Sequence, residues 1–325
     1  IHSNGDCGIL LYYADNSTLY CNNVSNNRYG IILDRSNENT IQNNTILLNT
    51  QSGAYITDSS GNSVKNNLIS ENTQNGIYIS AYYNAIQNNT ISRNGQFGIS
   101  ILGSPWNTIT DNIFDHNGIY ISGSTLNHFM QNMNNNTVNG KPLYYYKNKN
   151  TFTVPPDAGC VIFVNCNDAV VDGIVATHTE YAISIIYSHD ITITNSTLLN
   201  NTYSGIHSYY YSYDNLYYGN TISNNNYGIH IEKNSNNETI QKNTISNNVI
   251  GIYPNKDTTI LNNSIFNNAK GIYSWSNIII RNNTISNNIE GIYIYGAQNN
   301  IITANNISNN TEGIRFLRNC YYHTI

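Results

Sequence analysis

Three features of the sequence predict an all-β fold, a single-stranded parallel β-helix of about 15 coils with about 22 residues in each coil. A glycine followed by isoleucine returns at a nearly constant interval, short apolar runs alternate residue by residue between turn formers, and asparagines occupy the same place in successive repeats. Runs such as Ile292-Tyr293-Ile294 are too short for helices and have the period of two that is typical of a strand. One repeat cannot bury its own apolar face, so stacked repeats must share an interior.

The repeat interval is marked by a glycine that precedes isoleucine, or alanine in one repeat. The steps between markers are 22, 23, 23, 22 and 20 residues in a first series and 23, 23, 20, 20 and 22 in a second. The gap of 87 residues between the two series holds degenerate markers, so we expect one continuous solenoid over residues 1–325, with degenerate coils at about 130–200. Glycine suits a corner with φ above zero or a close approach of two backbones. The markers are Gly8, Gly30, Gly53, Gly76, Gly98, Gly118, Gly205, Gly228, Gly251, Gly271, Gly291 and Gly313, and the degenerate ones are Gly140, Gly159 and Ala182.

Asparagine is the commonest residue, with 64 copies, and many copies fall in register. At a coil corner asparagine tolerates a left-handed backbone, and its amide can donate to and accept from the identical amide one coil away. We therefore predict inward asparagine ladders. The predicted members are Asn44, Asn67, Asn89 and Asn112, and later Asn220, Asn243, Asn263, Asn283 and Asn306.

The composition excludes two classes of protein. Only 10% of the residues are charged, compared with about 25% in a typical soluble domain, and the net charge is −5. The sequence therefore lacks the basic surface that nucleic-acid binding requires, and no nucleic-acid partner is expected. No apolar run approaches the roughly 20 residues of a transmembrane helix.

Five cysteines are present, and no pair has the spacing of a zinc knuckle or a redox C-x-x-C motif. Buried thiols are one interpretation. The alternative is one disulfide, either Cys7 with Cys21 or Cys160 with Cys166. Because the count is odd, at least one of Cys7, Cys21, Cys160, Cys166 and Cys320 has no partner cysteine in the chain.

The repeats resemble the right-handed parallel β-helix repeats of NosD-like proteins and of the carbohydrate-binding and sugar-hydrolase (CASH) group, over nearly the whole chain. Residues 136–167, "NTVNGKPLYYYKNKNTFTVPPDAGCVIFVNCN", are similar to a segment of NosD-like surface proteins. The resemblance implies a right-handed coil and export to the periplasm or the cell exterior. It also implies copper handling as one activity, since family members have been associated with copper delivery to nitrous oxide reductase, while many others are surface proteins without assigned chemistry.

Three aspartates form the first candidate site. Asp168, Asp190 and Asp214 lie at similar register on successive coils, where carboxylates could act in glycoside cleavage or bind Ca²⁺. The same column continues with Asn237, Asp257, Asn277 and Asn300. A turn column that accepts Asn and Asp alike is the structural alternative.

Two histidines form the second candidate site. His207 and His230 occupy the outward position after the glycine-isoleucine marker, 23 residues apart, and should be neighbours that could bind copper or zinc. A third ligand is not identified. The alternative is an aromatic column in which histidine replaces tyrosine, because the other occupants are Tyr55, Tyr78, Ser100, Tyr120, Tyr253, Tyr273, Tyr293 and Arg315.

The tyrosines of this column, Tyr55, Tyr78, Tyr120, Tyr253, Tyr273 and Tyr293, predict an aromatic stripe, to which Tyr209–Tyr213 adds exposed rings at a bulged corner. Such a stripe could stack on sugars, a second solenoid or attached glycans. Stacking that only stabilises the sheet is the alternative.

Twelve N-x-[ST] sequons predict N-linked glycans, although some must arise by chance in a chain this rich in asparagine. Four of them recur at one register directly before a ladder asparagine, so period-two alternation points their acceptors outward. The acceptors are Asn16, Asn23, Asn43, Asn88, Asn135, Asn195, Asn200, Asn237, Asn262, Asn282, Asn306 and Asn309.

From the sequence we expect a non-catalytic, extracellular or periplasmic, glycosylated solenoid that acts as a structural subunit. Joining the tail to the head would place Gly313 and Gly8 20 residues apart, in phase with the repeat, which suggests head-to-tail stacking into a filament or a longer chain. The first alternative is a carbohydrate-binding or polysaccharide-cleaving β-helix that uses the tyrosine stripe and the aspartate column. The second is copper handling. No cofactor is expected besides glycans, with Ca²⁺ and copper as the metals to consider.

Overall fold

A computed structural model of the chain describes residues 1–232 and 234–325. The fold is an all-β, right-handed parallel β-solenoid of about 14 turns with about 22 residues per turn, which confirms the predicted class. The chain forms two compact units, Ile1–Tyr145 with His178–Glu180, and Tyr146–Thr177 with Tyr181–Ile325. Within the described residues, no helix has the length and hydropathy needed to cross a bilayer.

Strands β1 to β19 begin in the first unit, which also contains a 3₁₀ turn at Leu126–Phe129. They are β1 Cys7–Tyr12, β2 Thr18–Tyr20, β3 Asn23–Ser25, β4 Tyr29–Asp34, β5 Thr40–Gln42, β6 Thr45–Leu47, β7 Ala54–Thr57, β8 Ser63–Lys65, β9 Leu68–Ser70, β10 Ile77–Ser80, β11 Ala85–Gln87, β12 Thr90–Ser92, β13 Ile99–Leu102, β14 Thr108–Thr110, β15 Ile113–Asp115, β16 Ile119–Ser122, β17 Asn132–Asn134, β18 Thr137–Val138 and β19 Lys141–Lys147.

Strands β20 to β42 belong to the second unit. They are β20 Asn150–Thr153, β21 Cys160–Val164, β22 Asn167–Asp172, β23 Val175–Thr177, β24 Tyr181–Ile186, β25 His189–Thr194, β26 Thr197–Leu199, β27 Ser204–Tyr209, β28 Leu216–Tyr218, β29 Thr221–Ser223, β30 Tyr227–Ile231, β31 Thr239–Gln241, β32 Thr244–Ser246, β33 Ile250–Tyr253, β34 Thr258–Leu261, β35 Ser264–Phe266, β36 Lys270–Ser274, β37 Ile278–Arg281, β38 Thr284–Ser286, β39 Glu290–Tyr295, β40 Ile301–Thr303, β41 Asn306–Ser308 and β42 Glu312–Leu317.

Over most of the chain, strands that are three apart in sequence pair in parallel, so the strands of each unit fall into three sheets that face one interior. In the first unit, for example, β1, β4, β7, β10, β13 and β16 form one sheet. The interior is filled by aliphatic columns. Ile206, Ile229 and Ile252 pair in register on successive turns and are fully buried. Burying one such side chain stabilises the folded state by roughly 1.5–3 kcal/mol, and the sum over many turns holds the short strands in place.

Ten of the twelve marker glycines, all except Gly118 and Gly313, lie where the backbone of the next turn approaches closely. None of them has a positive φ. A Cβ atom on Gly76 would lie 2.6 Å from the carbonyl oxygen of Gly98 on the next turn, and one on Gly30 would lie 2.3 Å from that of Gly53. Of the two reasons predicted for these glycines, close approach is therefore the operative one.

The degenerate markers between the two series were only partly correct. Ala182 is a true marker, since its strand pairs with the strand of Gly205. Gly159 is wrong by one position, because the register places Cys160 opposite Ala182. Gly140 is not a marker, because it has a φ of +78° at the turn between β18 and β19, whose pairing is antiparallel. An Asn-Gly pair is the usual two-residue turn of such a hairpin.

The predicted asparagine ladders are present in both units. In the first unit the Nδ2 atom of each member donates to Oδ1 of the next at 3.0 Å, and the same oxygen accepts the backbone N–H of the previous member. The members are Asn44, Asn67, Asn89, Asn112 and Asn136 in the first unit, and Asn220, Asn243, Asn263, Asn283 and Asn305 in the second. Each ladder residue thus satisfies buried main-chain groups as well as its own amide.

Two details of the ladder prediction were wrong. Asn305 is the last member of the second ladder, whereas Asn306 lies in β41 and its side chain is exposed. The second error concerns the left-handed corner, which is occupied by the exposed residue before the ladder asparagine and not by the ladder asparagine itself. Asn43, for example, has a φ of +57°, and the ladder residue Asn44 is not in the left-handed region. Two adjacent residues therefore share the roles that the sequence assigned to one.

A carboxylic acid ends one ladder of the first unit. The column of Asn72 and Asn94 reaches Asn117, whose Nδ2 donates to Oε1 of Glu180 at 3.0 Å. Glu180 is 1% exposed, and burial raises its pKa from 4.5 to about 8. The neutral acid is therefore favoured in the folded state.

Candidate functional site

The two histidines predicted as neighbours meet on one sheet of the second unit. His207 lies in β27 and His230 in β30, and the two residues are paired in the sheet register. Their rings stack with centroids 5.0 Å apart and an interplanar angle of 17°. Period-two alternation explains the arrangement, because the neighbours Ile206 and Ile229 face the interior.

Glu232 is the third member of the cluster, and sequence reasoning missed it. It follows β30 by one residue and, two positions after His230, lies on the same face. Its Oε1 is 2.9 Å from Nε2 of His207. The ligand atoms of these three residues all lie within 4.8 Å of one another. The i, i+2 relation to His230 was the signal in the sequence that could have found it.

The cluster is mostly shielded from water. His207 is 1% exposed, and its Nδ1 atom is buried with no hydrogen-bond partner among the described residues. The Glu232 side chain remains 41% exposed, so it forms the open side of the cluster. A buried polar atom without a partner is uncommon, so this imidazole is a candidate for a functional role.

The electrostatics keep His230 neutral and Glu232 ionised. Burial, followed by repulsion from His207, lowers the pKa of His230 to about 3. For Glu232, burial alone would raise the carboxyl pKa, but the hydrogen bond from His207 and the electrostatic interactions with the His207 and His230 rings lower it. A neutral imidazole and a carboxylate are the protonation states in which these groups bind metal ions.

Aromatic rings hold the two imidazoles in place. Tyr181 stacks on His207 with centroids 4.7 Å apart, and Tyr209 stacks on it at 4.1 Å. Tyr227 stacks on His230 at 4.4 Å. The predicted alternative of histidines inside an aromatic column is therefore correct as a description of packing, and the same packing fixes the ring orientation of potential ligands.

The donor set consists of two imidazole nitrogens and one carboxylate oxygen. Sites of this composition suit zinc, copper and iron, whereas Ca²⁺ takes six to eight oxygen ligands. Within residues 1–232 and 234–325, no other trio of His, Cys, Asp or Glu brings its ligand atoms together in this way. The residues present therefore fit a transition metal.

The aspartate column has the register that was predicted, but its members remain at exposed corners. Asp168, Asp190 and Asp214 have φ values of +50°, +55° and +56°. Asp214 accepts a hydrogen bond from Nδ2 of Asn237, the next member of the column. The continuation to Asn300 was wrong by one residue, because Asn300 is a buried ladder residue that accepts the N–H of Ile278.

The tyrosine column also has the predicted register, and its rings stack along the sheet. Tyr55 and Tyr78 stack at 4.7 Å with an interplanar angle of 4°, and Tyr273 lies 5.0 Å from Tyr293. Members of this column are half-buried or buried rather than fully exposed. Tyr120 stacks on Phe97 at 4.5 Å, and Tyr253 lies 5.3 Å from Tyr273.

All twelve sequon asparagines are exposed, with the ladder residues that follow Asn43, Asn88, Asn262 and Asn282 buried beneath them. Neither of the two cysteine pairs considered above forms a disulfide among the described residues. Cys166 is buried, and burial raises the pKa of its thiol.

Two family models match the chain. One, described as "Right handed beta helix region", matches residues 1–138. The other, described as "Periplasmic copper-binding protein (NosD)", matches residues 115–275 and 254–325, which together make up more than half of the chain. No curated protein matches.

Several solved structures are similar to this chain at low sequence identity. The mannuronan C-5 epimerase AlgE4 A-module of Azotobacter vinelandii is 14% identical, with 88% of each chain covered and a TM-score of 0.46. The Dettilon tailspike protein is 14% identical, with 94% of this chain and 61% of the tailspike chain covered and a TM-score of 0.47. PfbA, a surface adhesin of Streptococcus pneumoniae, is 15% identical, with 94% and 83% covered and a TM-score of 0.40.

Proposed function

Because this chain belongs to the NosD family of periplasmic copper-binding proteins, we propose that it binds copper at His207, His230 and Glu232 in a periplasmic or secreted location. The single observation that carries the proposal is the convergence of two imidazoles and a carboxylate within 4.8 Å. Imidazole nitrogen is a preferred donor for copper, and copper is the strongest binder among divalent first-row metals.

The residues around the site would have two different roles in binding the ion, orientation of the imidazoles and neutralisation of charge. The aromatic rings of Tyr181, Tyr209 and Tyr227 fix the planes of the imidazoles, so little side-chain freedom is lost when a ligand binds. Glu232, which is bonded to His207 at 2.9 Å, would exchange that hydrogen bond for the ion and neutralise part of its charge. Copper would be an ion that the protein binds and carries.

Copper titration of the metal-free protein, monitored by calorimetry and by metal content after gel filtration, tests the proposal. We expect one tightly bound Cu²⁺ per chain, and a loss of affinity of at least tenfold in each of His207→Ala, His230→Ala and Glu232→Gln. Each lost ligand removes one metal bond while the fold is retained, which circular dichroism would verify.

His189→Asn is the matched control. His189 also lies beside a carboxylate, Asp190, at 2.8 Å and stacks on Tyr213 at 4.7 Å, but it has no second imidazole next to it among the described residues. The control should bind copper with the affinity of the unmodified chain. Equal losses in the control and the three site variants, or no stoichiometric binding at all, would refute the assignment.

A glycosylated structural solenoid is the second candidate function, favoured by the exposure of all twelve sequon acceptors. A glycan on Asn43, Asn88, Asn262 or Asn282 would project from a corner without disturbing the buried ladder below it. Intact-mass spectrometry of native material should show an excess over the polypeptide mass. Head-to-tail assembly into filaments remains a prediction that electron microscopy of the same material tests, and evenly dispersed single particles would contradict it.

A further inference from the structure

One left-handed corner column of the first unit carries aromatic residues on two successive turns. On five successive turns the left-handed corner is occupied by Asn16, Glu38, Gly61, Tyr83 and Trp106, with φ values of +57°, +57°, +70°, +59° and +64°. Asparagine and glycine adopt this conformation readily, whereas Glu38, Tyr83 and Trp106 each cost roughly 1–2 kcal/mol there.

The two aromatic rings of this column are available to a ligand. Tyr83 is 66% exposed and Trp106 is 38% exposed. Among the described residues, neither ring packs against another aromatic ring, whereas the corner tyrosines Tyr187 and Tyr210 of the second unit stack on each other at 6.1 Å. The exposed faces of Tyr83 and Trp106 therefore lack the internal stacking that explains other corner aromatics.

Two clefts adjoin at Tyr83. One, of about 280 Å³, is lined by Tyr82, Tyr83, Pro105 and Trp106, together with Asn127 and His128. The other, of about 480 Å³, continues along the same column past Glu38 and Asn37 to Asp15. The combined groove thus has aromatic platforms at one end and carboxylate and amide groups at the other.

This combination of groups matches the chemistry of a sugar chain. Aromatic faces stack on the apolar C–H faces of pyranose rings, and carboxylates and amides bond to hydroxyl groups. Neither cleft is lined by lysine or arginine, and Asp15 and Glu38 would repel an anionic sugar. An uncharged chain is therefore favoured over a polyuronate.

We propose that the groove along Tyr83 and Trp106 in the first unit binds a neutral hexose oligosaccharide. Tyr83 and Trp106 lie one turn apart, because Asn84 and Asn107, the residues that follow them, pair in the ladder. Their rings can therefore contact neighbouring positions of one ligand. This site is separate from the tyrosine stripe and the aspartate column considered from the sequence, and it does not depend on the metal site of the second unit.

The tryptophan content gives a direct assay. The chain has two tryptophans, Trp106 and Trp275, so a Trp275→Phe variant reports on Trp106 alone. This variant is titrated with hexasaccharides of β-1,4-linked glucose, β-1,4-linked mannose and α-1,4-linked glucose, and with a uronic-acid hexasaccharide. At least one neutral hexasaccharide should shift the emission to the blue in a saturable way and reduce quenching by acrylamide at least twofold.

Variants at the corner separate ligand stacking from folding. Tyr83→Asn retains a residue that tolerates the left-handed backbone and removes the ring, and it should lower the affinity at least tenfold with an unchanged circular dichroism spectrum. Tyr322→Ala, an 83% exposed tyrosine at another left-handed corner, should leave the affinity unchanged. The proposal is overturned if no neutral hexasaccharide produces a saturable shift, if the uronic-acid chain binds as well as the neutral ones, or if Tyr83→Asn binds with full affinity.

Discussion

Removing one rung of an asparagine ladder should destabilise the first unit strongly. The side chain of Asn89 is 1% exposed and makes five hydrogen bonds. Its Oδ1 accepts the backbone N–H and the Nδ2 of Asn67, both at 3.0 Å. Its Nδ2 donates to the carbonyl oxygens of Val64 and Gln87 and to Oδ1 of Asn112 at 2.9, 3.0 and 3.0 Å.

The size of the effect follows from these partners. In Asn89→Ala the backbone N–H of Asn67 loses its acceptor inside the solenoid, which costs about 1–3 kcal/mol, and each lost hydrogen bond contributes about 1 kcal/mol. We therefore expect the free energy of unfolding to fall by about 3–5 kcal/mol. The neighbouring variant Asn88→Gly should change it by less than about 0.5 kcal/mol, because Asn88 is exposed and glycine adopts its φ of +53° without strain.

Urea denaturation of both variants measures this difference, and amide hydrogen exchange at Asn67 locates it. Exchange resolves the effect even if the repeat array unfolds in more than one step. A change below about 1 kcal/mol in Asn89→Ala, or equal changes in the two variants, would contradict the claim that ladder amides satisfy buried main-chain groups.

Three further predictions concern stability. Gly76→Ala should lower the free energy of unfolding by about 3 kcal/mol, because its Cβ would lie 2.6 Å from the carbonyl oxygen of the next marker glycine. Gly103→Ala, whose Cβ would have no atom within 4 Å, should lower it less in the same urea denaturation assay. Burial raises the pKa of Glu180 from 4.5 to about 8, so its contribution to stability should be complete below pH 4.5 and fall as the pH rises through about 8. A series of melting curves in which the melting temperature of Glu180→Gln changes with pH as steeply as that of the unmodified chain would refute this. Asn305→Ala should lower the melting temperature, whereas Asn306→Ala should not, and the reverse order would contradict the observed ladder register.

The fold could be predicted from the sequence because several independent features of the repeat require the same stacking. Inward isoleucines, marker glycines and ladder asparagines each require the same register, so any one of them predicts the stacking. The error at Asn306 shows the limit of this reasoning. On the two preceding turns an Asn-Asn pair supplies the corner and the ladder residue, but here Ala304, with a φ of +54°, takes the corner and shifts the ladder to Asn305.

The hairpin at Asn139–Gly140 was missed for a different reason. An Asn-Gly pair can serve either as a solenoid corner or as a two-residue hairpin turn, and the period alone favours the first. The choice depends on how β19 packs, which is a tertiary effect that local spacing does not contain.

The sequence predicted the two histidines of the candidate metal site but not its carboxylate. His207 and His230 were visible as a pair because they share a register position. Glu232 lies past the strand, so the column that revealed the histidines does not include it, and the direction of its side chain toward His207 is a property of the folded chain. The burial of Nδ1 of His207 likewise depends on the covering rings of Tyr181 and Tyr209.

Electron paramagnetic resonance of the full chain loaded with one equivalent of Cu²⁺ tests the assignment of the ligands most directly. Coordination by His207 and His230 should give superhyperfine splitting from two imidazole nitrogens, reduced to one nitrogen in His230→Ala. A spectrum of aqueous copper, or one that is identical in the unmodified chain and in His230→Ala, would contradict it.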